Sequence, residues 1–125
     1  MANPPNIVNV AKLFGKTKTN RAIPTTATEI MPAVASDYVH KINLIFITNI
    51  DGTNNCDVTI WIAEDTDETK LAHTITIPAD SSLTLLDTPL YINYNATGTG
   101  NRLMALAQTA GDLDITVSWE EISDV

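Results

Sequence analysis

Residues 38–50, YVHKINLIFITNI, and residues 56–64, CDVTIWIAE, flank the short segment DGTNN at 51–55. Runs of Ile, Val, Phe, Thr and Trp bounded by Asp, Gly and Asn read as strands. The stretch from Tyr38 to Glu64 is therefore expected to form a hairpin at the centre of a sheet. Successive strand residues point to opposite faces. Uninterrupted alternation puts Ile42, Leu44, Phe46 and Ile50 on the core side of the first strand, and Cys56, Val58, Ile60 and Ile62 on that of the second. Lys41, Asn43, Ile45, Ile47 and Asn49 then share the outer face of one strand, and Asp57, Thr59, Trp61 and Ala63 that of the other. Apolar side chains on an outer face imply a cover, so Ile45 and Trp61 become candidates for contact with another subunit or with the N-terminal segment.

The flanking sequence continues the pattern. Ile7 to Phe14 alternates after the Pro-containing tail MANPPN, and about a dozen extended residues would span ~40 Å. Residues 1–16 are expected to form an extended N-terminal arm, with 17–125 the folded domain. Pro24 and Pro32 restrict the next stretch to two short pieces, near Lys18 to Ile23 and Ala27 to Met31. After the hairpin, EDTDETK reads as a solvated loop, and strands follow near Leu71 to Pro78, Leu83 to Asp87, Leu90 to Tyr94, Arg102 to Gln108 and Leu113 to Ile122. The last strand alternates strictly, with Leu113, Ile115, Val117 and Trp119 inward and Asp114, Thr116, Ser118 and Glu120 outward. No helical period is sustained. The fold expected is all-β, an antiparallel β-sandwich of immunoglobulin-like or jelly-roll type.

The chain has 125 residues, 15 acidic and 7 basic, and a formal charge of −8. A domain of this size buries roughly two thirds of its unfolded surface and has a core without staples. The single cysteine, Cys56, permits no internal disulfide and reads as a small buried strand residue. Strong acidity disfavours binding to nucleic acid or anionic lipid. Four of the basic residues, Lys12, Lys16, Lys18 and Arg21, nevertheless fall in the first 21. A basic arm on an acidic body could lie across an acidic neighbour. No stretch is apolar enough to span a bilayer and the start lacks a signal-peptide pattern, so a cytosolic origin is expected.

Catalytic motifs do not occur: HExxH, GxSxG, CxxC, P-loop and dinucleotide-binding glycine patterns are all missing. His40 and His73 fall singly on strands. Glu64, Asp65, Asp67 and Glu68 lack the spacing and central Gly of an EF-hand loop, and Asn49, Asp51, Asn54, Asn55 and Asp57 are explained as turn formers. No metal, cofactor or catalytic residue is assigned. Exposed rings could stack sugars, and of Trp61, Tyr91, Tyr94 and Trp119 the best placed is Tyr94, beside the Gly-rich turn ATGTGN.

Three stretches, IDGTNNCDVTI, TIPADSSLTLLDTPLYI and GDLDITVSWEEIS, in that order and spacing resemble small all-β virion structural proteins of tailed bacteriophages, of the head decoration or cement kind. The resemblance covers residues 38–123 and leaves out the arm. It implies a non-enzymatic β-sandwich, commonly a homotrimer, made in the host cytoplasm and bound to the capsid surface, with the major capsid protein or other virion proteins as partners. A tail, neck or fibre position and a carbohydrate-binding adhesion module are the alternatives. The contact residues expected are Ile7, Val8, Val10, Leu13 and Phe14 of the arm, with Ile45 and Trp61.

Overall fold

The computed structural model describes residues 4–125. The described residues form nine strands: β1 (Lys12–Asn20), β2 (Thr28–Met31), β3 (Val39–Asn49), β4 (Cys56–Glu64), β5 (Asp67–Ile77), β6 (Ser82–Thr84), β7 (Leu90–Asn93), β8 (Asn101–Ala107) and β9 (Leu113–Ser123). They form two antiparallel sheets. One runs β1-β9-β3-β6, with β7 also paired to β3, and the other β2-β8-β4-β5. The sandwich expected from the sequence is therefore present. Successive strands change sheet at nearly every step, with β6 and β7 sharing one place beside β3, which gives jelly-roll connectivity.

The central hairpin does not form. β3 and β4 lie in opposite sheets, and residues 51–55 carry the chain across the sandwich. The hairpin of this region is instead β4–β5, paired from Glu64↔Asp67 to Cys56↔Ile77. EDTDETK is thus a tight turn running into a strand, with Asp65 at φ 57°. Gly98, at φ 62°, lies against the Asp65 side chain so closely that a Cβ would collide with it, which locks the loop between β7 and β8 onto this turn.

The face assignment of β3 changes halfway along. Ile42 pairs with Trp119 and Leu44 with Ser118, so Asn43 is one extra residue, a β-bulge, held outward by its amide donating to Glu120 Oε1 at 2.9 Å. Beyond it the alternation inverts. Ile45 and Ile47 are fully buried, whereas Leu44 and Phe46 are half-buried on the outer face. In β9, which has no such interruption in its inward row, Leu113, Ile115, Val117 and Trp119 are all buried as expected. Cys56, Val58 and Ile60 complete the same core from β4, and Cys56 is a buried free thiol.

β1 continues across residue 16, where the arm was expected to end, and pairs in register with β9 from Lys12↔Ser123 to Asn20↔Ile115. Residues 4–11 precede it. They do not run straight: the Asn6 side chain accepts from Val8 N, the Asn9 N–H donates to Asn6 O, and a turn results. Asn6 N and Ala11 N then donate to Asp124 Oδ2 and Ser123 O, tying the segment to the end of β9. Part of the expected tail, residues 1–3, lies outside the described residues.

Candidate functional site

Nine large apolar side chains are exposed among the described residues, and five of them fall between residues 7 and 14. Val8 is 85 % exposed, Leu13 55 %, Ile7 48 %, Phe14 47 % and Val10 43 %. The local cause is geometric. The turn at Asn6 to Asn9 holds Ile7 and Val8 out from the sheet, and β1 is an edge strand whose first residues have no strand on their far side. Leu13 lies on the outer face beside Ile122, and Phe14 on the opposite face beside Glu121. Pro4, Pro5 and Ile7 line a cleft of about 190 Å³ together with Val39, Tyr91 and Asn93. A second cleft, of about 140 Å³, is lined by Ile62, Glu64, Tyr91, Ile92, Asn93 and Asn101. Both are smaller than the usual small-molecule pocket of roughly 300–1,000 Å³.

Ile45 and Trp61 do not join this surface. Ile45 is fully buried in the core because the bulge at Asn43 turned it inward. Trp61 does point outward from β4, yet it is only 4 % exposed. Its neighbours on the same sheet cover it: Met104 and Leu106 pack beside it, and Lys70 Nζ sits 4.5 Å from its ring centroid. A lysine one strand away is enough to roof an outward tryptophan, which the sequence pattern of β4 alone does not reveal. The sugar-stacking expectation shifts likewise. Tyr94 packs against the core, both tryptophans are 4 % exposed, and Tyr91, 44 % exposed, is the ring that lines the two clefts.

His40 is the most buried ionisable group of interest. It stands on the inner face of β3 at 2 % exposure, its ring stacked on Trp119 with centroids 5.9 Å apart. Its Nε2 lies 3.4 Å from Glu121 Oε2, which also accepts from Trp119 Nε1 at 3.1 Å. Nδ1 has no hydrogen-bond partner among the described residues. No nucleophile is bonded to this pair, and burial leaves it closed to a substrate. Desolvation by burial pushes the His40 pKa below its ordinary 6.5, outweighing the opposite pull of Glu121, while Lys16 adds to the lowering. The unfolded chain thus takes up a proton at a pH where the folded one does not. Stability is full above pH 6.5 and falls as the pH drops through the interval down to the depressed folded value. Thermal melts between pH 7.5 and 5 should show a decline that His40→Phe flattens; an equal decline in the variant would assign it to other groups.

At the opposite end of β3, three loops meet. Asp80 N donates to Asp51 O, Ile50 N donates to Asp112 O, and Gly52 approaches the Asp80 carboxylate. Asp51 accepts from Thr53 N, Asn54 N and the Asn54 amide, which hold its carboxyl below the usual range. Local desolvation and the neighbouring Asp51 push Asp112 above it. Ile50, 54 % exposed, stands among them. Among the described residues no three His, Cys, Asp or Glu side chains converge in an arrangement that could hold a metal ion.

No family model matches the chain, and no curated protein matches it. The exposed apolar segment lies at one end of the sandwich and the Asp51, Asp80 and Asp112 loop cluster at the other.

Proposed function

We propose that this chain is a structural subunit of a tailed-phage virion, a head decoration or cement protein that binds and stabilises the assembled capsid without catalysing a reaction. The observation that carries the reading is the run of exposed apolar side chains at Ile7, Val8, Val10, Leu13 and Phe14. A monomeric protein gains nothing from leaving these in water, whereas a subunit buries them when it meets its partner. Jelly-roll connectivity supports the reading by analogy, since it recurs in viral capsid domains, but it also serves lectins and cupins, and the fold alone assigns no function. The glycan alternative has little to build on, since of the four candidate rings Trp61, Tyr91, Tyr94 and Trp119 only Tyr91 is exposed.

Magnitudes favour an oligomer. Completing the burial of five half-exposed side chains is worth about 1 kcal/mol each, or about 5 kcal/mol before any entropy cost. Such a contact is millimolar by itself. Joined copies, a homotrimer in the proposal, convert it into durable attachment through effective concentration. A head position further requires many copies per particle, where a tail, neck or fibre position requires few. The test is co-sedimentation of the purified chain with assembled heads of the virus that carries it, and with unassembled capsid protein. Saturable binding to assembled heads at hundreds of copies is expected. Binding at a handful of copies would move the protein to the neck or tail, and no binding to any particle would overturn the reading.

A further inference from the structure

His40 and Glu121 are register partners at the pole where β3 begins and β9 ends, and both point between the sheets with Trp119. Their chain neighbours Val39 and Ile122 are partners too, and by alternation these point the other way, onto the outer face. Both are nevertheless buried. The N-terminal segment lies over them: Pro4, Pro5 and Ile7 share a cleft with Val39, Tyr91 and Asn93, Leu13 stands beside Ile122, and the Ala11 N–H donates to Ser123 O at 2.8 Å. Tyr91 and Asn93 in turn flank Ile92, the β7 residue opposite His40. The segment therefore rests on the backs of the strands whose inner sides hold His40.

This interior accommodates the neutral ring and not the cation. Nε2 has Glu121 Oε2 at 3.4 Å, but Nδ1 is buried with no partner among the described residues. On the neutral ring Nδ1 is an unpaired acceptor; on the cation it becomes a buried N–H with nothing to receive it, on a charge withdrawn from water. Glu121 of β9 favours the cation and Lys16 of β1 opposes it. β7 presents only Ile92 to the ring, and on the facing sheet Glu64 of β4 and the uncharged Asn101 of β8 line the cleft that Ile92 borders. Lys41 and Glu120, paired one step along, belong to the outer face. Burial outweighs the pull of Glu121, so the ring takes up its proton where it reaches water.

We infer that His40 is an acid-released latch for the N-terminal segment: protonation parts the ends of β3 and β9, and the seat formed by Val39 and Ile122 is lost with them. A released segment must be ordered again in order to dock, so attachment weakens on acidification. The inference rests on the proposed function for its purpose and names a regulation of that same surface. By linkage the latch is closed above the ordinary pKa of 6.5, and it opens as the pH falls below that value toward the depressed folded one.

Hydrogen exchange of the full chain at pH 7.5 and pH 5, without any particle present, tests the latch. Between the two the Ala11 amide should lose at least about tenfold in protection, taken relative to an unstructured chain at the same pH. His40→Phe keeps a ring against Trp119 and removes the titration, and its Ala11 protection should stay level. If that variant fails to fold, Glu121→Gln replaces it: with the counter-charge gone, the fall should be deeper than in the wild type. Protection of Ala11 that is equal at both pH values would overturn the inference, as would an equal fall in His40→Phe. So would an Ala11 amide that matches, at every pH, the Asn49 amide bonded to Ser81 O at the opposite pole, because the segment would then open only with the whole sandwich. Co-sedimentation with assembled heads completes the test: the wild type should be shed at pH 5 and His40→Phe retained, and equal retention of both would overturn the regulation. A chain that binds no heads at pH 7.5 would sink the virion reading alone, whereas bound heads with a level Ala11 amide would sink the latch alone.

Discussion

Ile45→Asp should unfold the protein, while Phe46→Asp, one residue along, should leave it folded. Ile45 is fully buried between the sheets, and no cation faces it from its partners Val117 and Leu85. An unpaired carboxylate there adds a desolvation penalty to the lost apolar burial, a cost of more than about 4 kcal/mol against a total stability of roughly 5–15 kcal/mol. Phe46 stands half-exposed on the outer face opposite Thr116 and Thr84, and its replacement should cost about 1 kcal/mol. Urea melts of the two variants separate the cases. The reverse order would mean that alternation runs unbroken through Asn43 and that the bulge is misplaced.

Asn49→Asp, which exchanges one side-chain NH2 for oxygen, should be almost as damaging. Asn49 is 1 % exposed, and its Nδ2 donates to Asn54 O at 3.0 Å and Ile77 O at 2.9 Å, while its Oδ1 accepts from Asp51 N at 3.0 Å. One amide therefore fastens the end of β3 to the crossing loop and to the end of β5 in the other sheet. The carboxylate keeps the acceptor but turns two donors into an oxygen facing two carbonyls. Two lost bonds and two unpaired carbonyls amount to about 3–5 kcal/mol. Protonation restores one donor, so the variant should lose less stability at pH 4 than at pH 8. A loss below about 1 kcal/mol at neutral pH would show that the corner is held by other contacts.

These two residues mark where sequence reading stops. The strict alternation of Leu113 to Trp119 is legible because nothing interrupts the inward row of β9, and the all-β sandwich follows from many such runs. Asn43 looks like any outward polar residue, yet the one extra position moves Ile45 and Ile47 inside and Leu44 and Phe46 out. DGTNN has the chemistry of a hairpin turn. What makes it a crossing between sheets is the Asn49 amide reaching Ile77, a partner 28 residues away. Trp61 escapes for the same reason, since Lys70 and Met104 cover it from neighbouring strands.

The candidate surface was half visible. Apolar residues after a Pro pair and among the first lysines single out residues 7–14 without a structure, and those five side chains are among the nine exposed ones. The acidic end was not visible, because Asp51, Asp80 and Asp112 come from three separate loops that only the sheet order brings together. The jelly-roll connections that place β3, β5 and β8 with their ends at one pole are what assemble it.

Removing residues 1–11 tests most directly the claim that the exposed N-terminal segment is the docking element. β1 stays whole in this variant, and the described bonds lost are the surface ones from Asn6 and Ala11 to the end of β9. Circular dichroism should show an intact β-sandwich, and co-sedimentation with assembled heads should fall by at least about tenfold, the loss expected for more than 1.4 kcal/mol of contact. A folded variant that binds heads as tightly as the full chain would contradict the account and move the docking surface onto the sandwich itself.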